Sequence, residues 1–325
     1  MKKTNRVYGL IAVGAYMSNF NADLTGYPKM TAERHIFGSD KALKFPMKKM
    51  WQQQGDPVLY IRTLQLVEGK KSKSDDADEA APGKLQPQDL AERYNTLFNT
   101  SIDDKTPSKE VLANLFQAVD VMNFGATFAE KKQNISITGA VQINQGFNRY
   151  EKANPLVQDI LSPFRNSNEK SEGKMASTMG TKIVTDEAHY VYHFSVNPQN
   201  YRDYCRLLEG FEGYTAEAYE KFKLAARVAT TAFNTNSKSG CENELALFIE
   251  LKDESSLFLA NLDRYVAVDK ETDGEGQERV VYDLTKLADL LAPHGDEIAA
   301  VELYRNPVNV AVRPGSLAYE DKPLL

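Results

Sequence analysis

Cysteine is nearly missing from these 325 residues. Cys205 and Cys241 stand in no C-x-x-C pair and are too few for a disulfide framework or a zinc cluster, so buried free thiols are expected. Histidine is also sparse. His189 and His193 form an H-x-x-x-H, but they fall in a strand pattern, where residues four apart lie about 13 Å from each other. That spacing does not chelate one metal ion, and no H-E-x-x-H is present. Long apolar runs are missing too. The strongest, ELALFIEL, is far short of the roughly 20 residues that a membrane-spanning helix needs. The opening MKKTNRVYGLIAVGAYMSNF has the basic start of a leader, but Tyr8, Gly9 and Gly14 dilute its apolar stretch and no A-x-A-like site follows. It reads as a strand, and a cytoplasmic location is the expectation. With no G-x-G-x-x-G, Walker A or G-x-S-x-G motif, nucleotide folds and hydrolase nucleophiles lack support, and no cofactor is expected.

Positive charge is short overall, at a net of −6, which at first sight argues against a nucleic-acid partner. Its distribution argues the other way. Residues 1–50 carry 9 Lys/Arg against 3 acids, and residues 131–182 carry 8 against 4, whereas residues 241–325 carry 8 against 18. Ions screen exposed charges beyond about 8–10 Å, so a remote acidic third does not cancel a basic groove.

The organising stretch is residues 7–52. Val7, Leu10, Ile11 and Val13 mark a strand buried on both faces, and SNFNADLTGYPKM is a polar, irregular loop. Ser39 and Asp40 are helix caps. In KALKFPMKKMWQQQ, Leu43, Met47, Met50 and Trp51 share one helical face and Lys41, Lys44 and Lys48 another. Pro46 either kinks that helix or starts it. PVLYIRTLQLV reads as a strand, residues 69–87 as a low-complexity solvated loop, and DLAERYNTLF and SKEVLANLFQAVD as amphipathic helices. VDVMNFGATF and NISITGAVQINQGF return to strand character, residues 148–180 form a long basic irregular segment, and KIVTDEAHYVYHFSVN is a strand. Residues 216–232 are the longest clear helix, capped by Thr215, followed by the turn NTNSKSGCEN and the buried strand ELALFIEL. Short strands (LFLANL, RVVYDL, AAVELY) and one helix near Leu284–Leu291 complete the chain. Without its insertions the order is strand, helix, strand, strand, helix, strand, a ferredoxin-like or RNA-recognition-motif pattern of α+β class.

The lysine cluster follows a loop rich in amides and hydroxyls, groups that donate to phosphates and 2′-hydroxyls. The second basic region pairs charge with Gln142, Asn144, Gln145 and Asn148 and with the apolar Met175 and Met179, which suit wedging into a single strand. Asp23 is either a turn cap or a metal-binding or general-base carboxylate.

The segments RVYGLIAVGAYMSNFNADLTGYPKM, IFGSDKALKFPMKKMW, VDVMNFGATFAEKKQNISITGAVQINQGF and ASTMGTKIVTDEAHYVYHFSVNP, in this order, resemble the crRNA-binding backbone subunit of CRISPR-associated type I Cascade, the repeat-associated seventh subunit family, and most closely its type I-B branch. The resemblance spans most of residues 6–252. It implies a palm of ferredoxin-like βαββαβ kind (residues 1–54, 119–147 and 183–325, the last with an acidic C-terminal region), a helical finger insertion (55–118) and a thumb β-hairpin (148–182). It implies a non-catalytic protein that polymerises along a guide RNA in antiviral defence or RNA-guided targeting. The partners implied are crRNA, the target DNA strand paired to it, neighbouring copies of the chain and other Cascade subunits (large, small and repeat-end-capping). The expected RNA-facing residues are Asn19, Asn21, Lys41, Lys44, Lys48, Lys49, Gln142, Asn144, Gln145, Arg165, Met179 and Lys182, with Lys44 and Lys48 as phosphate ligands. Some relatives carry a basic residue just after the loop asparagine, where this chain has Ala22. The alternative is a metal-dependent ribonuclease of type III backbone kind using Asp23.

Overall fold

The computed structural model describes residues 1–67, 83–165, 176–274 and 276–324, the side chains of 162–165 and 176–179 excepted. The chain is mixed α+β and divides into two compact units. The larger holds residues 4–50, 142–197 and 220–325, and the smaller holds 1–3, 51–141 and 198–219.

The larger unit is built on a twisted run of strands: β1 (Val7–Ser18), β2 (Phe37–Gly38), β3 (Val141–Ile143), β4 (Gly146–Asn148), β5 (Pro155–Arg165), β6 (Ala176–Val196), β7 (Cys241–Leu251), β8 (Ile298–Arg305) and β9 (Glu320–Pro323). Their order is β9-β8-β7-β1-β6-β4-β2, with β3 and β5 also paired to β6. β1 is antiparallel to both neighbours, Leu10 facing His193 of β6 and Leu247 of β7. Its residues Val7–Ala15 are all buried, as the apolar run requires of a strand covered on both faces. Two helices accompany the sheet, α1 (Asp40–Gln53) and α2 (Ala216–Ala232). The latter has the expected limits, with the Thr215 hydroxyl accepting from the Ala218 amide at 3.1 Å.

Several expectations are corrected. Pro46 does not start α1; the helix begins at Asp40 and runs through it. The segment 57–67 is a strand only over Leu64–Val67, which pairs with Lys84–Pro87 at the end of the supposed loop 69–87. The amides of Leu59 and Tyr60 go instead to the buried carboxylate of Asp120, each at 2.8 Å, so they are not available to a ladder. Val119–Phe124 is a short helix rather than a strand, ended by Gly125 at φ +80°, and only Gly125–Phe128 is extended. NISITGAVQINQGF has the expected strand character, as three short strands. The basic segment 148–180 contains β5, which forms an antiparallel hairpin with the first half of β6; its residues 166–175, including Met175, lie outside the described residues, as do 68–82. LFLANL is not a strand: Leu259 and Leu262 are apolar because they plug the core around Leu247 and Tyr282. The charged Ala267–Thr272, unanticipated, pairs with Glu278–Asp283.

The smaller unit carries the expected helices Leu90–Phe98 and Ser108–Leu115. The first opens on a capping box in which Asp89 and Glu92 each satisfy the other's backbone amide. Tyr94, Val111, Leu115 and Phe128 fill its core.

Within the larger unit the sheet buries an ionic cluster. His189 lies between two carboxylates, Nδ1 at 2.7 Å from Glu244 and Nε2 at 3.1 Å from Glu187. The hydroxyls of Tyr16 and Tyr282 also donate to Glu244, and a Cβ on Gly14 would lie 2.4 Å from that carboxylate, so only glycine leaves room for it. Burial alone would lower the His189 pKa, but the two carboxylates more than offset it and raise it to about 9. A histidine held above its ordinary 6.5 contributes stability that is complete below pH 6.5 and disappears as pH rises through 9. Urea unfolding of the wild type should therefore show a loss on the order of 1–3 kcal/mol between pH 6 and pH 9.5 that His189→Gln lacks; parallel pH profiles would contradict this.

Candidate nucleic-acid interface

The loop leaving β1 is fixed by asparagines. Asn19 is buried, and its amide donates to the carbonyls of Gly26 (2.9 Å) and Ile183 (3.2 Å), tying the loop to the base of the β5–β6 hairpin. Asn21 turns the other way and accepts from the amide of Ser39 at 2.8 Å, locating the start of α1. Ser39 caps the helix, its hydroxyl accepting from the Ala42 amide at 3.2 Å. Tyr192 of β6 supports this corner from below, donating to the Ser39 carbonyl at 3.3 Å. Gly38 and Gly146 pair across β2 and β4 against Tyr192; a Cβ on Gly38 would come 2.1 Å from its hydroxyl oxygen, and one on Gly146 2.3 Å from its ring.

Asp23 caps a turn. One of its carboxylate oxygens accepts from the amide and hydroxyl of Thr25 (2.8 and 2.7 Å) and the amide of Tyr27 (3.1 Å). The Thr25 hydroxyl first, and these amides with it, hold the carboxyl below its ordinary range.

On α1, Leu43, Met47, Met50 and Trp51 are buried as expected, Lys41 is exposed, and Lys44, Lys48 and Lys49 are half-buried. Lys44 pairs with Asp40 one turn back at 2.9 Å, and Gln145 reaches the same carboxylate at 3.5 Å. Burial alone would raise the Asp40 pKa, but the Lys44 hydrogen bond and charge lower it. Lys44 is thus partly neutralised, and an ammonium with three donors can serve more than one acceptor.

Asn21, Lys41, Lys44 and Gln145 are therefore gathered at the first turn of α1. Lys182 stands on β6 beside Ile183, whose carbonyl Asn19 meets, and donates to Asn236 at 3.4 Å. Asn144 is directed elsewhere: it bonds Asp263 (2.9 Å) and the His193 amide (2.8 Å). Gln142 is exposed on β3. Arg165 and Met179 fall on β5 and β6, and their side chains are outside the description.

The same corner holds residues that no sequence motif singles out. Lys238, in the turn NTNSKSGCEN, donates to the carbonyls of Asn19 (2.9 Å) and Phe20 and lies 5.3 Å from the Phe20 ring centroid. With Lys29, Lys41, Phe45 and Phe233 it lines a cavity of about 300 Å³. A lysine set among amides and hydroxyls, as in the first loop, was the available signal for Lys238. Among the described residues no group of three or more His, Cys, Asp or Glu is arranged to hold a metal ion, and no helix is long and apolar enough to cross a membrane.

Residues 5–287 match the family model described as CRISPR-associated protein Cas7. The chain belongs to the Cas7 family. A solved chain described as "CRISPR RNA-guided surveillance complex, pre-nicking" is similar at a TM-score of 0.49 and 13% identity, over 95% of this chain and 96% of that one. Another, described as "CRISPR RNA-guided surveillance complex", is similar at 0.46 and 12%, over 94% of each. No curated protein matches the chain.

In this Cas7-family chain Asp40 sets the charge of the corner. Replacing it, Asp40→Asn, removes the anion beside Lys44, and binding of single-stranded RNA at low salt should tighten roughly 2- to 5-fold, the worth of one exposed ion pair. Fluorescence anisotropy measures this; weaker or equal binding would show that the pair lies off the RNA path.

Proposed function

We propose that the chain is a non-catalytic crRNA-binding backbone subunit of a type I-B Cascade complex, polymerising along the guide RNA and presenting it to the target DNA strand. Membership of the Cas7 family supports the general reading. The observation that carries the site is the corner at the start of α1, where Asn21 and Ser39 fix the helix and Lys41, Lys44 and Lys48 follow along it. Helix N-termini and lysines together grip phosphates without reading bases, which suits a sequence-tolerant scaffold.

In this reading the strand order β7-β1-β6-β4, with α1 following β1 and α2 preceding β7, is a ferredoxin-like palm. Residues 55–118 are the fingers, the β5–β6 hairpin within 148–182 is the thumb, and Arg165, Met179 and Lys182 are proposed as RNA-facing residues of it. Asn19 holds the loop rather than touching the ligand, and Asn144 serves Asp263. The engagement of Asp23 with its own turn favours the non-catalytic reading over the ribonuclease one.

The lysines are tested by salt dependence. Lys44→Ala with Lys48→Ala should weaken RNA of any sequence alike and flatten the slope of log affinity against log salt by about 0.7 for each phosphate no longer neutralised; an unchanged slope would remove these residues from the RNA path. Incubation with complementary RNA and Mg²⁺ should leave that RNA intact, and cleavage abolished by Asp23→Asn would establish the ribonuclease instead.

A further inference from the structure

We infer that Lys238 is a positioning residue for the RNA-binding corner: its ammonium pins the loop after β1 and does not itself bind phosphate. This rests on the RNA-binding reading and adds to it a residue that acts on the ligand only through the loop it holds.

The turn that carries Lys238 is docked against the point where the chain leaves β1. The amide of Tyr16 donates to the Gly240 carbonyl at 2.8 Å, and the amide of Asn19 donates to the Ser237 carbonyl at 2.9 Å. Gly240 has φ +102°, and a Cβ there would lie 2.2 Å from the Tyr16 carbonyl oxygen, so only glycine allows the approach. The turn is also closed on itself, since the amides of Lys238 and Ser239 both donate to the Thr235 carbonyl, at 3.0 and 2.8 Å. Its backbone is a fixed platform from which the Lys238 side chain reaches the loop.

Lys238 spends two of its three N–H donors there, on the carbonyls of Asn19 and Phe20. Among the described residues no carboxylate pairs with it, and burial pushes its pKa below the ordinary lysine range. A lysine kept for a polyanion leaves its ammonium in water; this one exchanges hydration for main-chain oxygens, as a structural tie does. The ammonium also lies 5.3 Å from the centroid of the Phe20 ring. Phe20 is 1% exposed and packs on Tyr190 and Tyr192, with centroids 5.0 and 6.3 Å away, and the Tyr192 hydroxyl donates to the Ser39 carbonyl. The two ends of the loop, Asn19 and Phe20 on entry and Ser39 on exit, are thus held at one place. Lys238 holds the entry.

The test uses the full chain and a fluorescein-labelled mixed-sequence RNA. Lys238→Met should weaken binding about 10- to 100-fold, the worth of one hydrogen bond to a charged group, with the slope of log affinity against log salt unchanged. In the free variant, hydrogen exchange followed by mass spectrometry should quicken by a similar factor in residues 19–39 and keep the wild-type rate in residues 243–251. Lys238→Arg, whose guanidinium can also serve two carbonyls, should bring the affinity back to within about 3-fold of wild type. The wild type gives a reading that needs no variant. Toward sulfosuccinimidyl acetate, Lys238 should react about 10-fold more slowly than the exposed Lys41 with or without RNA, whereas RNA should protect Lys41. A slope flattened by about 0.7 in Lys238→Met, or acetylation of Lys238 as fast as that of Lys41 and blocked by RNA, would make it a phosphate ligand and overturn the inference. Exchange quickened throughout the chain, or a quickened loop with undiminished RNA affinity, would overturn it as well. Wild-type protein that binds no RNA would overturn the scaffold reading, and the positioning role with it.

Discussion

Strand β1 uses both of its hydrogen-bonding edges, one on β6 and one on β7, and both of its faces are covered. A one-residue slip would turn every side chain to the opposite face, which that burial forbids. The register therefore decides where the chain leaves the sheet. From that point Asn19 and Asn21 divide the work: one ties the loop back to β6, the other holds the amide of Ser39, the cap of α1. The lysines of α1 are placed by a core that contains none of them. Gly38 and Gly146 leave room for Tyr192, whose hydroxyl donates to the Ser39 carbonyl at the start of α1.

The electrostatics follow the same division between core and corner. The chain is acidic overall, yet much of its charge is consumed within the larger unit: Glu187 and Glu244 by His189, Asp263 by Arg149 at 2.6 Å, Glu302 by Lys223 and Lys322. What remains at the start of α1 is a local excess of cations over a cavity with an aromatic floor. Within a screening length of about 8–10 Å that local field is what a polyanion meets.

Much of this was legible in the residues. The continuous apolar runs of β1 and β7 and the 3.6-residue period of α2 admit one reading each, and the α1 lysines stand out by spacing alone. The remainder was not, for identifiable reasons. The amides of Leu59 and Tyr60 are claimed by the Asp120 side chain from far along the chain, so an extended-looking segment forms no ladder there. Val119–Phe124 is too short for its period to distinguish helix from strand. Asn144 is as polar as Asn21, but only the fold reveals that Asp263 takes it. Phe45, Phe233 and Lys238 come from segments that meet only after the sheet has formed, and no local pattern joins them.

The central claim is that RNA lies across the loop after β1, the first turns of α1 and the turn before β7. Ultraviolet cross-linking of the full chain to bound RNA, with the adducts placed by peptide mass spectrometry, tests it most directly. Adducts concentrated in residues 19–49 and 230–240 are the predicted result. Adducts confined to the acidic segment 253–324, with none at the α1 corner, would contradict the account.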